Sequence, residues 1–217
     1  ALAEIGQNPY QPSLITLYLD GAESSALDLE DPRYLEFEYM QHIELIIGAT
    51  LGDTVPLRAL HLGAAGCALA RALDAGHSGS KQLAVELDGT LARYVREWFD
   101  LPPAPRLRIR SDEARHALDT THAQWDVIIR DAFRNREVPA QLRTSESAAR
   151  AHEVLAPGGI YLLNSIASTG VMSERYLRRI HVRFITSRDS SRSSRRVPDA
   201  ITSTAGYMRL LASLRSS

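Results

Sequence analysis

One cysteine, Cys67, stands in 217 residues. No intrachain disulfide can form, and no cluster of thiolates can bind a metal. No run approaches the roughly 18–20 apolar residues of a membrane span, and no signal peptide is evident, so a cytoplasmic protein is expected. The formal net charge is −1. That balance argues against bulk attraction to nucleic acid or to an acidic membrane. The seven histidines show no ligand spacing. His152-Glu153 lacks the second histidine of a zinc helix, so no metal is expected. No serine sits in a nucleophile elbow, which disfavours hydrolase chemistry. What is present is 44% hydrophobic residues, enough to core one ordinary domain with a small appendage.

Residues 1 to 12 read as irregular, with Asn8-Pro9 and Gln11-Pro12 as breakers. Leu14 to Leu19 reads as a strand and Asp20-Gly21 as a hairpin turn, with a partner strand near Ser25 to Leu29. Asp31-Pro32 fits a helix start that runs to about Ile47, with Leu35, Tyr39, His42, Ile43 and Ile46 on one face. Residues 48 to 56 form a linker. Strands are then expected at 57–62, 82–86, 106–110, 125–130 and 159–164. Helices are expected between and after them at 66–75, 89–99, 112–118, 143–155 and 171–179. Pro157-Gly158-Gly159 is the expected break before the fifth of these strands. Short apolar runs alternating with helices predict a parallel sheet covered on both faces. A sixth strand is expected at 180–186 and a last element at 207–214. Eight arginines against one acid, Asp189, fall within residues 175 to 196. That run reads as a solvated segment rather than a nucleic-acid surface.

Ligands of such sheets lie outside the carboxyl ends of the strands. The first strand ends in Gly63-Ala64-Ala65-Gly66, a small-residue turn leading into a helix. The second ends at Glu86, about twenty residues on, the layout of a nucleotide-type site whose acid holds ribose hydroxyls. Asp112 and Glu113 follow the third strand, and Asp131 ends the fourth. Plainer readings stand beside these. Asp112 fits a helix cap, Asp131 a polar strand-end group, Tyr39 a core aromatic, and Cys67 a small packing residue.

The constellation resembles the spermidine synthases, the polyamine aminopropyltransferases, and nearest the divergent spermidine synthase-like proteins of high-GC Gram-positive bacteria. Its carriers are Leu19-Asp20-Gly21, Phe37-Glu38-Tyr39, His61-Leu62-Gly63, Val85-Glu86-Leu87-Asp88 and Arg130-Asp131-Ala132-Phe133. The resemblance covers about residues 14 to 166. It implies a three-layer, Rossmann-like α/β fold of the class I methyltransferase type, behind a short N-terminal β-hairpin and helix. Residues 1–52 would be that hairpin and helix, 53–186 the nucleoside-binding domain and 187–217 an Arg/Ser-rich tail.

By the same resemblance, Glu86 matches the acid on the ribose of decarboxylated S-adenosylmethionine and Asp112 the acid on the adenine amino group. Asp131 matches the base that deprotonates the attacking amine, and Tyr39 helps to place that amine. Gly63, Ala64 and Gly66 fall in the cofactor loop, and Glu113 is expected among the cofactor-binding residues. A small amine is the implied acceptor and a homodimer the implied assembly, with no membrane and no nucleic acid as partner. Three positions depart from the family. Gly66 replaces the loop aspartate, Arg134 the second acid after the base, and Gln41 the acid of the helix motif. They keep open two alternatives: a methyltransferase using S-adenosylmethionine itself, and a non-catalytic nucleoside-binding relative.

Overall fold

The computed structural model describes residues 2–134, 137–165 and 183–186. The chain begins with an antiparallel meander of β1 (Ala3–Asn8), β2 (Gln11–Leu19) and β3 (Ala22–Asp28). The Asp20-Gly21 turn has φ of +49° and +76°, the paired left-handed residues that such a hairpin requires. The expectation of irregular structure over residues 1–12 is corrected by β1. Pro9 falls in the β1–β2 turn. Pro12 falls where the register slips from Gln7↔Ile15 to Asn8↔Gln11, so no regular ladder bond is lost there.

Helix α1 spans Glu38–Leu51 rather than starting at Pro32. The Asp31 carboxylate accepts the Arg33 N–H at 2.9 Å, closing an Asx turn instead of capping a helix. The buried Arg71 guanidinium takes the carbonyls of Asp28 and Asp31, which fixes this stretch as irregular chain. The expected linker from residue 48 is likewise helical to Leu51, ending at Gly52 with φ +104°.

A second sheet follows. Its parallel strands are β4 (Arg58–Leu62), β5 (Lys81–Glu86), β6 (Leu107–Ser111), β7 (Trp125–Arg130) and β8 (Leu155–Leu163), with β9 (Arg183–Thr186) antiparallel beside β8. The order is β6-β5-β4-β7-β8-β9. Helices α2 (Ala68–Gly76), α3 (Gly89–Trp98), α4 (Ala114–Thr120) and α5 (Ser145–Glu153) make the crossovers. Asp88 caps α3 through the Thr90 and Leu91 N–H groups, and Thr144 caps α5 through Ser147. Chain direction along the sheet reverses between β4 and β7, which opens a crevice at their carboxyl ends.

Strand alternation sends Ala59, Val127 and Ile129 into one core with Leu17, Leu27, Ile43, Ile47 and Leu73. Leu60, Leu62, Val85 and Ile128 pack with Leu118 and Tyr161 on the other face. Both faces are covered, so the strands read as continuous apolar runs. The first core joins the N-terminal meander and α1 to the larger sheet. Pro157-Gly158-Gly159 lies inside β8 and not before it. There the register steps from Trp125↔Leu155 to Val127↔Ile160, and Gly158 has φ +83°. The expected elements at 171–179 and 207–214, and the run from 187, lie outside the described residues.

Candidate functional site

Four of the expected groups meet at the carboxyl edge of the large sheet. Gly63 carries φ +99°, and a Cβ there would stand 2.6 Å from the Asp131 carbonyl oxygen. The glycine is therefore demanded by the close approach of the β4 and β7 ends, a constraint within the protein. Ala65 and Cys67 have φ of +41° and +61°, an uncommon conformation for residues with a side chain. The Cys67 thiol is buried and pushed up to about 12, so it stays protonated and packs.

The Glu86 carboxylate accepts the Ala65 N–H through Oε2 and the Asp88 N–H through Oε1, each at 3.0 Å. Each oxygen keeps a second lone pair for an outside donor. Leu87, 64% exposed between Glu86 and Asp88, offers an apolar surface beside that acid.

Asp112 does not cap α4. Glu113 does, accepting the His116 N–H at 2.9 Å and the Gln141 amide at 3.2 Å. Asp112 accepts from the Glu113 N–H at 2.8 Å and His116 Nδ1 at 2.9 Å, and pairs with Arg110 at 2.5 Å. Burial works to raise its carboxyl, but hydrogen bonds from His116 and Glu113 and the Arg110 charge hold it below the ordinary aspartate value.

Asp131 sits one residue past β7. Its Oδ2 accepts the Tyr39 hydroxyl at 2.7 Å, and its Oδ1 accepts the Asn164 amide at 2.7 Å. Burial pushes this carboxyl up to about 6, against the opposing pull of both hydrogen bonds and of Arg130. Tyr39 is thus more than a core aromatic, since α1 delivers its hydroxyl to a residue 92 positions away. A cavity beside them is lined by Met40, His61, Gly63, Ala64 and Asp131. His61 is buried against Gln82, and burial holds it neutral at about 4.

Asn164 was not anticipated from the sequence. Its place is the same sheet edge, one residue after β8, where a polar side chain interrupts an apolar run. Extending the strand-end argument from β7 to β8 would have found it. Arg130 donates to the Asn164 carbonyl at 2.9 Å and to the Leu142 carbonyl at 3.2 Å, and the Asn164 N–H returns to the Arg130 carbonyl at 2.9 Å. Asn164 is 5% exposed, and its Oδ1 has no partner among the described residues. Two of the departures lie off the cavity lining. Arg134 is exposed and bridged through its backbone to Glu137, and the Gln41 side chain turns to the Leu35 carbonyl. Gly66 stays in the loop.

Among the described residues, no three His, Cys, Asp or Glu side chains are grouped to hold a metal, and no helix is long and apolar enough to cross a membrane.

No protein-family model matches the chain. It is 40% identical to a probable spermidine synthase of Corynebacterium glutamicum of known structure, covering 75% of this chain and 60% of that one, with a TM-score of 0.70. It is 22% identical over 152 residues to a polyamine aminopropyltransferase of Vibrio vulnificus, covering 69% of this chain and 50% of that protein. The chain thus spans half to three-fifths of the length of these relatives. Human methyltransferase-like protein 13, solved with SAH, shares the fold at 16% identity and a TM-score of 0.58, over 83% of this chain and 91% of that one.

Proposed function

Because the chain is a spermidine synthase-like protein of the class I methyltransferase fold, we propose that it transfers an aminopropyl group from decarboxylated S-adenosylmethionine to a small amine, in polyamine biosynthesis. The observation that carries this reading is the half-buried Asp131 carboxyl, held between the Tyr39 hydroxyl and the Asn164 amide. An alkylamine is protonated at neutral pH and must lose a proton before it can attack. The Asp131 carboxylate takes that proton. The amine nitrogen bonds to the propyl carbon next to sulfur, the C–S bond breaks, and its electron pair stays on sulfur. The neutral product is methylthioadenosine. The sulfonium is already activated, so the remaining work is positioning.

The residues present fit the reactants. Asn164 Oδ1 is a buried acceptor without a donor among the described residues, beside a carboxylate, and an amine N–H satisfies it. Glu86 holds the ribose hydroxyls on its remaining lone pairs, Asp112 the adenine amino group, and Gly63, Ala64 and Gly66 the thioether side. Glu113 caps the helix that carries the adenine end. The same reading makes the active species a homodimer.

The test is methylthioadenosine release with a panel of amines. The wild-type protein is expected to turn over. Asp131→Asn is expected to lose about 10²- to 10⁴-fold in kcat while keeping its circular dichroism. Methyl transfer from S-adenosylmethionine without methylthioadenosine release would overturn the reading.

A further inference from the structure

The N-terminal meander is hydrogen-bonded to the Gly63–Gly66 loop through the Ser25 side chain. The β2–β3 ladder runs in register from Leu14↔Asp28 to Leu17↔Ser25, then slips to Tyr18↔Glu23. Ser24 is therefore an extra residue, a bulge of the kind that re-aims the side chains beside it. Directly after it, Ser25 is 1% exposed. Its hydroxyl accepts the buried Gly66 N–H at 2.9 Å. A Cβ on Gly66 would stand 2.7 Å from the Ser25 Cβ and 3.2 Å from Leu27 Cδ1. Gly66 lies between two non-glycine residues of positive φ, in a turn with no sheet ladder to hold it. The neighbouring N–H groups are satisfied by Glu86 and Ala64, whereas that of Gly66 depends on β3.

We propose that Ser25 is a positioning residue of the nucleoside site, acting through Gly66, so that the N-terminal meander sets the shape of the loop that receives the ligand. Removing the hydroxyl leaves a buried N–H unpaired. The loop then relaxes away from the conformation in which its backbone meets the thioether side of the ligand.

The experiment has two readouts, and its ligand arm rests on the nucleoside reading above. Amide hydrogen exchange at Gly66 needs no ligand. Ser25→Ala is expected to speed it at least tenfold while the β4 and β7 amides keep their rates. Calorimetry with methylthioadenosine is expected to show about tenfold weaker binding, with Tm little moved. Gly66→Ala is expected to weaken binding too, because its Cβ would stand 2.7 Å from the Ser25 Cβ and push the loop off Ser25. Unchanged Gly66 exchange in Ser25→Ala overturns the proposal, as does unchanged affinity where the wild type binds. A wild type that binds no methylthioadenosine removes the nucleoside reading, and the exchange rates then decide alone whether Ser25 holds Gly66. Should Ser25→Ala unfold, Ser25→Cys, similar in volume and a poorer acceptor, gives the same two readouts.

Discussion

A carboxyl raised to about 6 by burial leaves two marks on the protein. In the proposed aminopropyl transfer Asp131 acts as a base only when ionised, so kcat is expected to fall as pH drops through about 6. A pH–rate profile checks this. In stability the sign is opposite. The folded state holds this proton more tightly than the unfolded chain, whose aspartate titrates near 3.8. The stabilisation is therefore complete below about pH 4 and is lost as pH rises through about 6. Asp131→Asn removes that loss. It is expected to raise stability at pH 8 by on the order of 1–3 kcal/mol, with no gain at pH 4, as read by thermal melts across pH. Gly63→Ala should act differently, because its Cβ would collide with the backbone of Asp131 and Ala132 at a positive φ. It is expected to lower Tm at every pH and to depress kcat. At this scale the acids were legible because Glu86 and Asp131 close the apolar strands β5 and β7 and Asp112 follows β6, all at one sheet edge. The partners of Asp131 were less so, since a hydroxyl on α1 and an amide after β8 become neighbours only through the fold.

Among the elements, the parallel strands and their helices were legible from alternating short apolar runs, and β7 falls where its apolar run does. The misreadings share a cause. Asp31-Pro32 has the local form of a helix start, yet a tertiary contact overrides it. Arg71, buried on α2, donates to the carbonyls of Asp28, Asp31 and Leu29 and, through Nε, to that of Asp100. One guanidinium thereby ties the β3–α1 connection to the chain after α3. Nothing in the residues around position 31 records that. Arg71→Met keeps the apolar stem but orphans these carbonyls. It is expected to cost about 2–4 kcal/mol in chemical denaturation, with the larger share of the loss falling on the N-terminal segment in hydrogen exchange.

Across the whole molecule, the covered parallel sheet followed from the alternating pattern together with the resemblance. The three-strand extent of the meander did not, because β1 is short, edge-placed and partly polar. Its Ile5, and Leu2 just before it, remain 46% and 63% exposed. At the far side, β6 ends the large sheet among the described residues, and its outward positions include the exposed Arg108. Charge on such an edge discourages pairing with another chain. Arg108→Val is expected to leave turnover intact and to increase light scattering on mild heating.

The hydrogen bond between Tyr39 and Asp131 joins residues 92 apart in sequence, and that between Asn164 and Asp131 spans a further 33. Loops of that length close at an entropic cost that local structure does not repay. The proposed base is therefore assembled late, by the same closure that brings α1 to the sheet edge. In refolding, helical signal should recover first and turnover only with the final tertiary phase, so that a chain competent for chemistry is by construction a chain that has finished folding.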